Sequence, residues 1–281
     1  MKLPIGECAT LACLLEVAAP KPGNVHRGAD FEDLKFSDFL ASATVIGPIL
    51  DRAVVQGVGW TVREAVRSTV AMVGTNTNLG IILLLSPLAA VPREFDLSEG
   101  IGGVLAGLQA VDAQRVFEAI RLAKPGGLGT TEQMDVNGPP PSSLLQAMEL
   151  AADRDLVARQ YATGFRDVFD SIVPSLLDGC RSGLPLSLAI VHAQLQWLSQ
   201  NPDSLIARKC GAETARQASE FARHVLASGE PFSEPFERGL ADFDFWLRSD
   251  GNRRNPGTTA DLLTAGIFVV LREQYLAPPY R

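Results

Sequence analysis

Three polar clusters interrupt an otherwise apolar chain of 281 residues, and their side chains are the ones able to do chemistry. The first runs Lys21-Pro22-Gly23-Asn24-Val25-His26-Arg27-Gly28-Ala29-Asp30 and continues to Glu32 and Asp33. Proline and glycine fix an irregular backbone there, and cationic donors sit beside carboxylates. That mixture suits a phosphate held together with a divalent ion: Lys and Arg take phosphate oxygens, carboxylates take the metal. The second, Gly74-Thr75-Asn76-Thr77-Asn78-Leu79-Gly80, stands before a strongly apolar segment. A helix beginning at the edge of a core presents free amides to whatever lies outside it. The third is Arg253-Arg254-Asn255-Pro256-Gly257-Thr258-Thr259-Ala260-Asp261. Asn255 followed by Pro256 predicts a helix start, which puts Thr258 and Asp261 on one face and aims Asp261 back toward the helix entrance. A weaker cluster, Asp203 to Gly211, places Asp203, Arg208 and Lys209 on a predicted helix entry.

The elements that must hold these clusters are helical. Leu11, Leu14, Leu15 and Ala18 mark a first helix ending near Pro20, and Phe36, Phe39, Leu40 and Ala43 mark a second. Helical spacing continues over 61–73, 78–90, 97–109 and 112–123. It resumes over 142–173 (ended by Pro174), 184–199, 203–228, 235–249 and 256–276. Only 54–62 has the β-branched content of a strand, and its glycines weaken it. Lys124 to Pro141 is too rich in proline and glycine for a regular element, as in functional lids and tethers. The expectation is an all-α fold: one globular multi-helix array, a single domain over 1–281, with a long Gly/Pro-rich central loop.

Composition excludes several function classes. With 25 Lys and Arg against 32 Asp and Glu, a formal charge of −7, general nucleic-acid binding is not expected. No apolar run is long enough to span a bilayer, so no membrane partner is expected, and no secretory start is visible. Cys8, Cys13, Cys180 and Cys210 are scattered without metal-ligand spacing and read as reduced thiols of a cytoplasmic protein. Nothing in the sequence sets the oligomeric state.

In this order the clusters resemble the triphosphoribosyl-dephospho-CoA synthase family over nearly the whole chain. Glu16 with Lys21-Pro22-Gly23 and the His26 to Asp33 stretch is similar to the family's K-P-G segment and its later acidic partner. Asn76-Thr77-Asn78-Leu79-Gly80 resembles N-T-H-K-G, and Asp203-Ser204 with Arg208 resembles D-T-N…R-G. Asn255 to Leu263 resembles S-P-G-G-S-A-D-L-L, the most specific of the four. Asn78 and Leu79 stand where the family motif has His and Lys. The family's central R-G-E-A segment has no clear counterpart, although Glu132 or Asp135 lies in the matching loop.

The resemblance implies an all-helical transferase that joins ribose C1 of ATP to the 2′-hydroxyl of dephospho-CoA and expels adenine. It implies small-molecule nucleotide substrates and Mg²⁺. On that basis Asp261, Asp203 and His26 are the catalytic candidates, with Asp261 as the base. Lys21, Asn24, Arg27, Asn76, Asn78, Arg208, Lys209, Asn255, Gly257 and Thr258 are the substrate- and phosphate-binding candidates, and Asp30 and Asp33 the metal ligands. The departures keep two alternatives open: a related transferase in one-carbon cofactor biosynthesis of the methanopterin or methylofuran type, and a non-catalytic helical binding protein.

Overall fold

The computed structural model describes residues 2–125, 138–231 and 233–280. Its helices in chain order are α1 (Ile5–Ala18), α2 (Phe36–Leu50), α3 (Ala53–Gln56), α4 (Val58–Val73), α5 (Leu79–Ala89), α6 (Leu97–Ala106) and α7 (Ala110–Ala123). They continue with α8 (Leu144–Ala151), α9 (Leu156–Thr163), a π-helical turn (Val168–Ile172), α10 (Val173–Arg181) and α11 (Leu186–Gln200). The last four are α12 (Ser204–Cys210), α13 (Ala212–Ala227), α14 (Glu234–Arg248) and α15 (Gly257–Arg272). Among the described residues there is no strand, as the all-α reading requires. No described helix is long and apolar enough to cross a membrane.

Two helices are buried nearly all round and organise the rest. In α5 every residue but Gly80 is buried, and α15 is buried continuously from Leu262 to Arg272. Such helices have no solvent face to solvate, so neighbours must cover every side. Accordingly α15 packs against α1, α5, α9, α10, α11 and α12. Burial of Leu262, Leu263, Ile267 and Phe268 contributes about 1.5–3 kcal/mol each. A second apolar cluster, from Val191 on α11 to Phe243 and Leu247 on α14, joins α11 through α14.

The β-branched stretch at 54–62 is helical, as the all-α reading expects, with Gly57, at φ 80°, separating α3 from α4. Several elements differ from the sequence reading, each for a local reason. The long helix expected at 142–173 is broken where Asp155 caps α9 and again at Gly164 and Phe165, both at positive φ. Pro174 does not end it. Proline lacks only a donor that the first turn leaves unpaired, and Pro174 sits in the first turn of α10. The helix expected at 203–228 divides at Gly211, φ 91°, into α12 and α13. The last helix starts one residue late, with Pro256 rather than Asn255 at its N-cap. Most of the Gly/Pro-rich central loop, with Glu132 and Asp135, lies outside the described residues.

Candidate active site

The helix starts of α5, α9, α12 and α15 and the turn after α1 meet around one cavity of about 530 Å³. Ten of the sequence-predicted site residues line it: Asn24, Asp33, Asn76, Asn78, Arg208, Lys209, Asn255, Gly257, Thr258 and Asp261. They come from segments up to 237 positions apart (Asn24 to Asp261).

Asp261 enters from the first turns of α15. No described group donates a hydrogen bond to its carboxylate. Burial pushes its proton affinity well above the usual carboxylate range, and the carboxylates of Glu16, Asp203 and Asp155 add to that, opposed by the Arg208 guanidinium. Gly80 on α5 makes room for it: a Cβ there would lie 2.0 Å from Asp261 Oδ2. Glycine is needed at that point for close approach, since nothing larger leaves the carboxyl in place. Glu16, from α1, reaches the same end of the cavity, also raised by burial but held by Lys21.

Asp203 is the opposite case and corrects a catalytic assignment. It is fully buried and does not line the cavity. Its Oδ1 accepts from the amides of Leu205 and Ile206 at 2.8 and 3.1 Å, and its Oδ2 from the Thr259 amide and hydroxyl at 2.7 and 2.8 Å. Every acceptor position worth using is occupied, so Asp203 pins the start of α15 to the start of α12. Ser204 extends the join: its hydroxyl donates to Thr258 Oγ1 at 3.1 Å and accepts from the Leu156 amide at 3.2 Å.

Lys21 is corrected as well. It is fully buried, its Nζ 2.9 Å from Glu16 Oε1 and bonded to the Glu16 carbonyl, with the Ala19 carbonyl at 3.4 Å. All three ammonium protons are taken, which leaves none for a phosphate. His26, Arg27 and Asp30 lie outside the cavity lining. His26 Nδ1 accepts from the Gly28 amide at 3.2 Å, and burial with the Arg248 and Lys21 cations lowers its proton affinity. Arg27 is exposed, and Asp30 accepts from the Phe36 amide at 2.7 Å to start α2.

Asp33 accepts from Asn252 at 2.6 Å, and no cluster of three or more His, Cys, Asp or Glu suited to a metal occurs among the described residues. Asp33 lines the cavity and Asp30 does not, so the cavity brings only one of the two expected metal carboxylates to the site.

Cations reach the cavity from elsewhere. Arg208 on α12 bonds Asp155 Oδ2 at 2.6 Å while its Nε is buried without a partner. Lys209 is half-buried, lowered in proton affinity by that burial, and sits 3.5 Å from Asn252 Oδ1. Arg154 and Lys124, both exposed, complete the rim. Sequence reasoning missed these two: Arg154 falls within the helical span 142–173, and Lys124 reads as the first residue of a loop. Gln194 is missed too. From inside α11 it donates to Asn24 Oδ1 at 2.8 Å, and Asn24 donates to Asn255 Oδ1 at 2.6 Å, so the first and third clusters are tied through a residue with no local signal.

The family model for ATP:dephospho-CoA triphosphoribosyl transferase matches residues 2–279. The chain belongs to this family. A protein of Malonomonas rubra named for 2-(5″-triphosphoribosyl)-3′-dephosphocoenzyme-A synthase is 24% identical, over 95% of this chain and 87% of its own length. A crystal structure titled for triphosphoribosyl-dephospho-CoA synthase, from Archaeoglobus fulgidus, superposes with a TM-score of 0.63 at 27% identity, covering 86% of this chain and all of that one. Membership in a triphosphoribosyl transferase family makes the chain an enzyme rather than a non-catalytic binding protein. It also gives the cavity's charges a meaning: Glu16 and Asp261 sit by the start of α5, and Arg208, Lys209, Arg154 and Lys124 line it with Asp33 and Asp155 among them.

Proposed function

We propose that the cavity transfers the triphosphoribosyl group of ATP to the 2′-hydroxyl of dephospho-CoA with loss of adenine. The observation that supports this best is the charge layout around Asp261. A triphosphate would meet Arg154, Arg208, Lys209 and Lys124 at the rim, while ribose C1 would lie toward the buried carboxyl.

Because burial raises its proton affinity well above the usual carboxylate range, Asp261 is given the part of an acid first, rather than that of the base expected from the sequence. As the C1–N9 bond breaks, its electron pair goes to adenine, which leaves with the proton from Asp261. The carboxylate so formed faces an oxocarbenium-like C1 and stabilises it. The 2′-oxygen of the acceptor then bonds to C1, and its proton returns to Asp261. One carboxyl thus serves both halves and ends as it began. Asn24, Asn255 and Thr258 hold the wall of the site, and Asp203 positions the helix that carries Asp261. No step is assigned to a metal.

The test is adenine release by the purified full chain given ATP, Mg²⁺ and dephospho-CoA. The reading expects one adenine per dephospho-CoA consumed. Consumption of ATP to ADP or AMP without adenine would overturn it, as would adenine release indifferent to dephospho-CoA.

A further inference from the structure

The chemistry proposed above makes no use of Asn78, yet this residue is the odd one out in the cavity wall. It is 5% exposed, and neither Nδ2 nor Oδ1 has a hydrogen-bond partner among the described residues. Burying both ends of a carboxamide unpaired is costly, and an apolar side chain of the same shape would avoid the cost. Asn78 is the N-cap of α5, where the Gly80 and Ile81 amides find no acceptor among the described residues, and all three residues line the cavity. Unsatisfied groups gathered at one wall are what a ligand completes.

The surroundings narrow the ligand's chemistry. Glu16 already takes the Lys21 ammonium, and Asp261 lies against Gly80, so this end offers no free cation to an anion. The cations stand at the rim. What fits beside Asn78 is a neutral group with a donor and an acceptor on one edge. A carboxamide presents one acceptor and one donor, the complement of the N6–H and ring-nitrogen edge of a 6-aminopurine. At the N7 edge a 6-oxopurine offers two neighbouring acceptors, O6 and N7, and would set its O6 against Asn78 Oδ1.

We infer that Asn78 is the residue that selects the nucleobase, accepting a 6-aminopurine and rejecting a 6-oxopurine at the buried end of the cavity. This rests on the transferase reading and adds to it the direction in which the nucleotide lies: base inward, triphosphate outward.

The test is calorimetric titration of the full chain with ATP and with ITP, for the parent protein and for Asn78→Leu. The parent should prefer ATP by about tenfold or more. In Asn78→Leu the ratio should fall to within about twofold, and the Tm of the ligand-free protein should rise by about 2 °C or more as the unpaired carboxamide is removed. A ratio that survives the substitution overturns the inference. So does a lowered Tm with the ratio kept, because the carboxamide would then be holding a water against Glu16 and Ser42 in the void of about 10 Å³ behind it. Should Asn78→Leu not fold, Asn78→Ala removes both the donor and the acceptor without added bulk. It too should lose the ATP preference, and its keeping it overturns the assignment. Adenine release by a parent protein that binds ATP and ITP alike sinks the Asn78 assignment alone. An Asn78-dependent ATP preference without adenine release sinks the transferase reading alone.

Discussion

Two carboxylates at the start of α15, the fully buried Asp203 that caps α12 and the half-buried Asp261, are handled in opposite ways. At the α12 junction, Asp203 receives four hydrogen bonds, two at each oxygen, and never meets the cavity. At the α5 junction, Asp261 receives none from the described residues and stands in the cavity wall with Asn78 unpaired nearby. Burial raises the proton affinity of both, and only for Asp203 do hydrogen bonds from the protein work against it. The saturated carboxylate is a fastener. The bare one stands in the cavity wall, while the fastener holds Thr259, two residues before it.

Breaking the bare side should cost activity and spare stability. Asp261→Asn keeps the shape and removes the proton carrier, and the adenine-release rate should fall about 10²–10⁴-fold. Its pH signature follows from the raised proton affinity. The folded state binds a proton that the unfolded chain gives up at lower pH, so Asp261 contributes stability that is complete below the ordinary carboxylate range. That contribution is lost as pH rises toward the folded-state value. Thermal melts across pH should therefore show the parent losing stability relative to Asp261→Asn as pH increases. Parallel curves would contradict the assigned shift.

Gly80→Ala tests the same side by geometry alone. A Cβ 2.0 Å from Asp261 Oδ2 forces the carboxyl to rotate away, while alanine improves the helix. Activity should fall about 10²-fold, with Tm unchanged or slightly raised. Full activity in Gly80→Ala would mean that the position of the Asp261 carboxyl is not critical.

Breaking the saturated side should do the reverse. Asp203→Ala leaves the Leu205, Ile206 and Thr259 amides without their acceptor, and denaturant titration should show a loss of about 3–5 kcal/mol. Turnover of the fraction still folded should change less than in Asp261→Asn. The smallest effect belongs to the rim. Arg154→Ala removes an exposed cation, and KM for ATP should rise up to about tenfold, with kcat nearly constant and the difference shrinking at high salt.

This division explains what the sequence disclosed. The apolar period marked the buried helices α5 and α15, because burial all round leaves an unbroken run of apolar residues. It also marked the helix starts, because a cap needs particular side chains at particular offsets. Asp261 and Asn78 were legible as members of such starts. The sequence could not separate Asp203 from Asp261, since both are acids near a predicted helix entry, and partners 56 residues away decide their roles. Lys21 misled for the same reason: a lysine in a polar turn looks like a phosphate ligand until Glu16, one turn of chain earlier, is seen to hold it. Gln194 and Arg154 carry no local mark, because their importance comes only from which helices meet. Breaks at Gly57, Gly164 and Gly211 turn on single positive φ values that periodicity averages away.

The most direct test of the account is a crystal structure of Asp261→Asn with ATP bound, in which slow turnover preserves the nucleotide. The account predicts a triphosphate within hydrogen-bond distance of Arg208 and Lys209, ribose C1 facing position 261, and the adenine directed at Asn78. A triphosphate seated against Gly80 and Ile81 at the buried end, or a nucleotide bound away from this cavity, would contradict it.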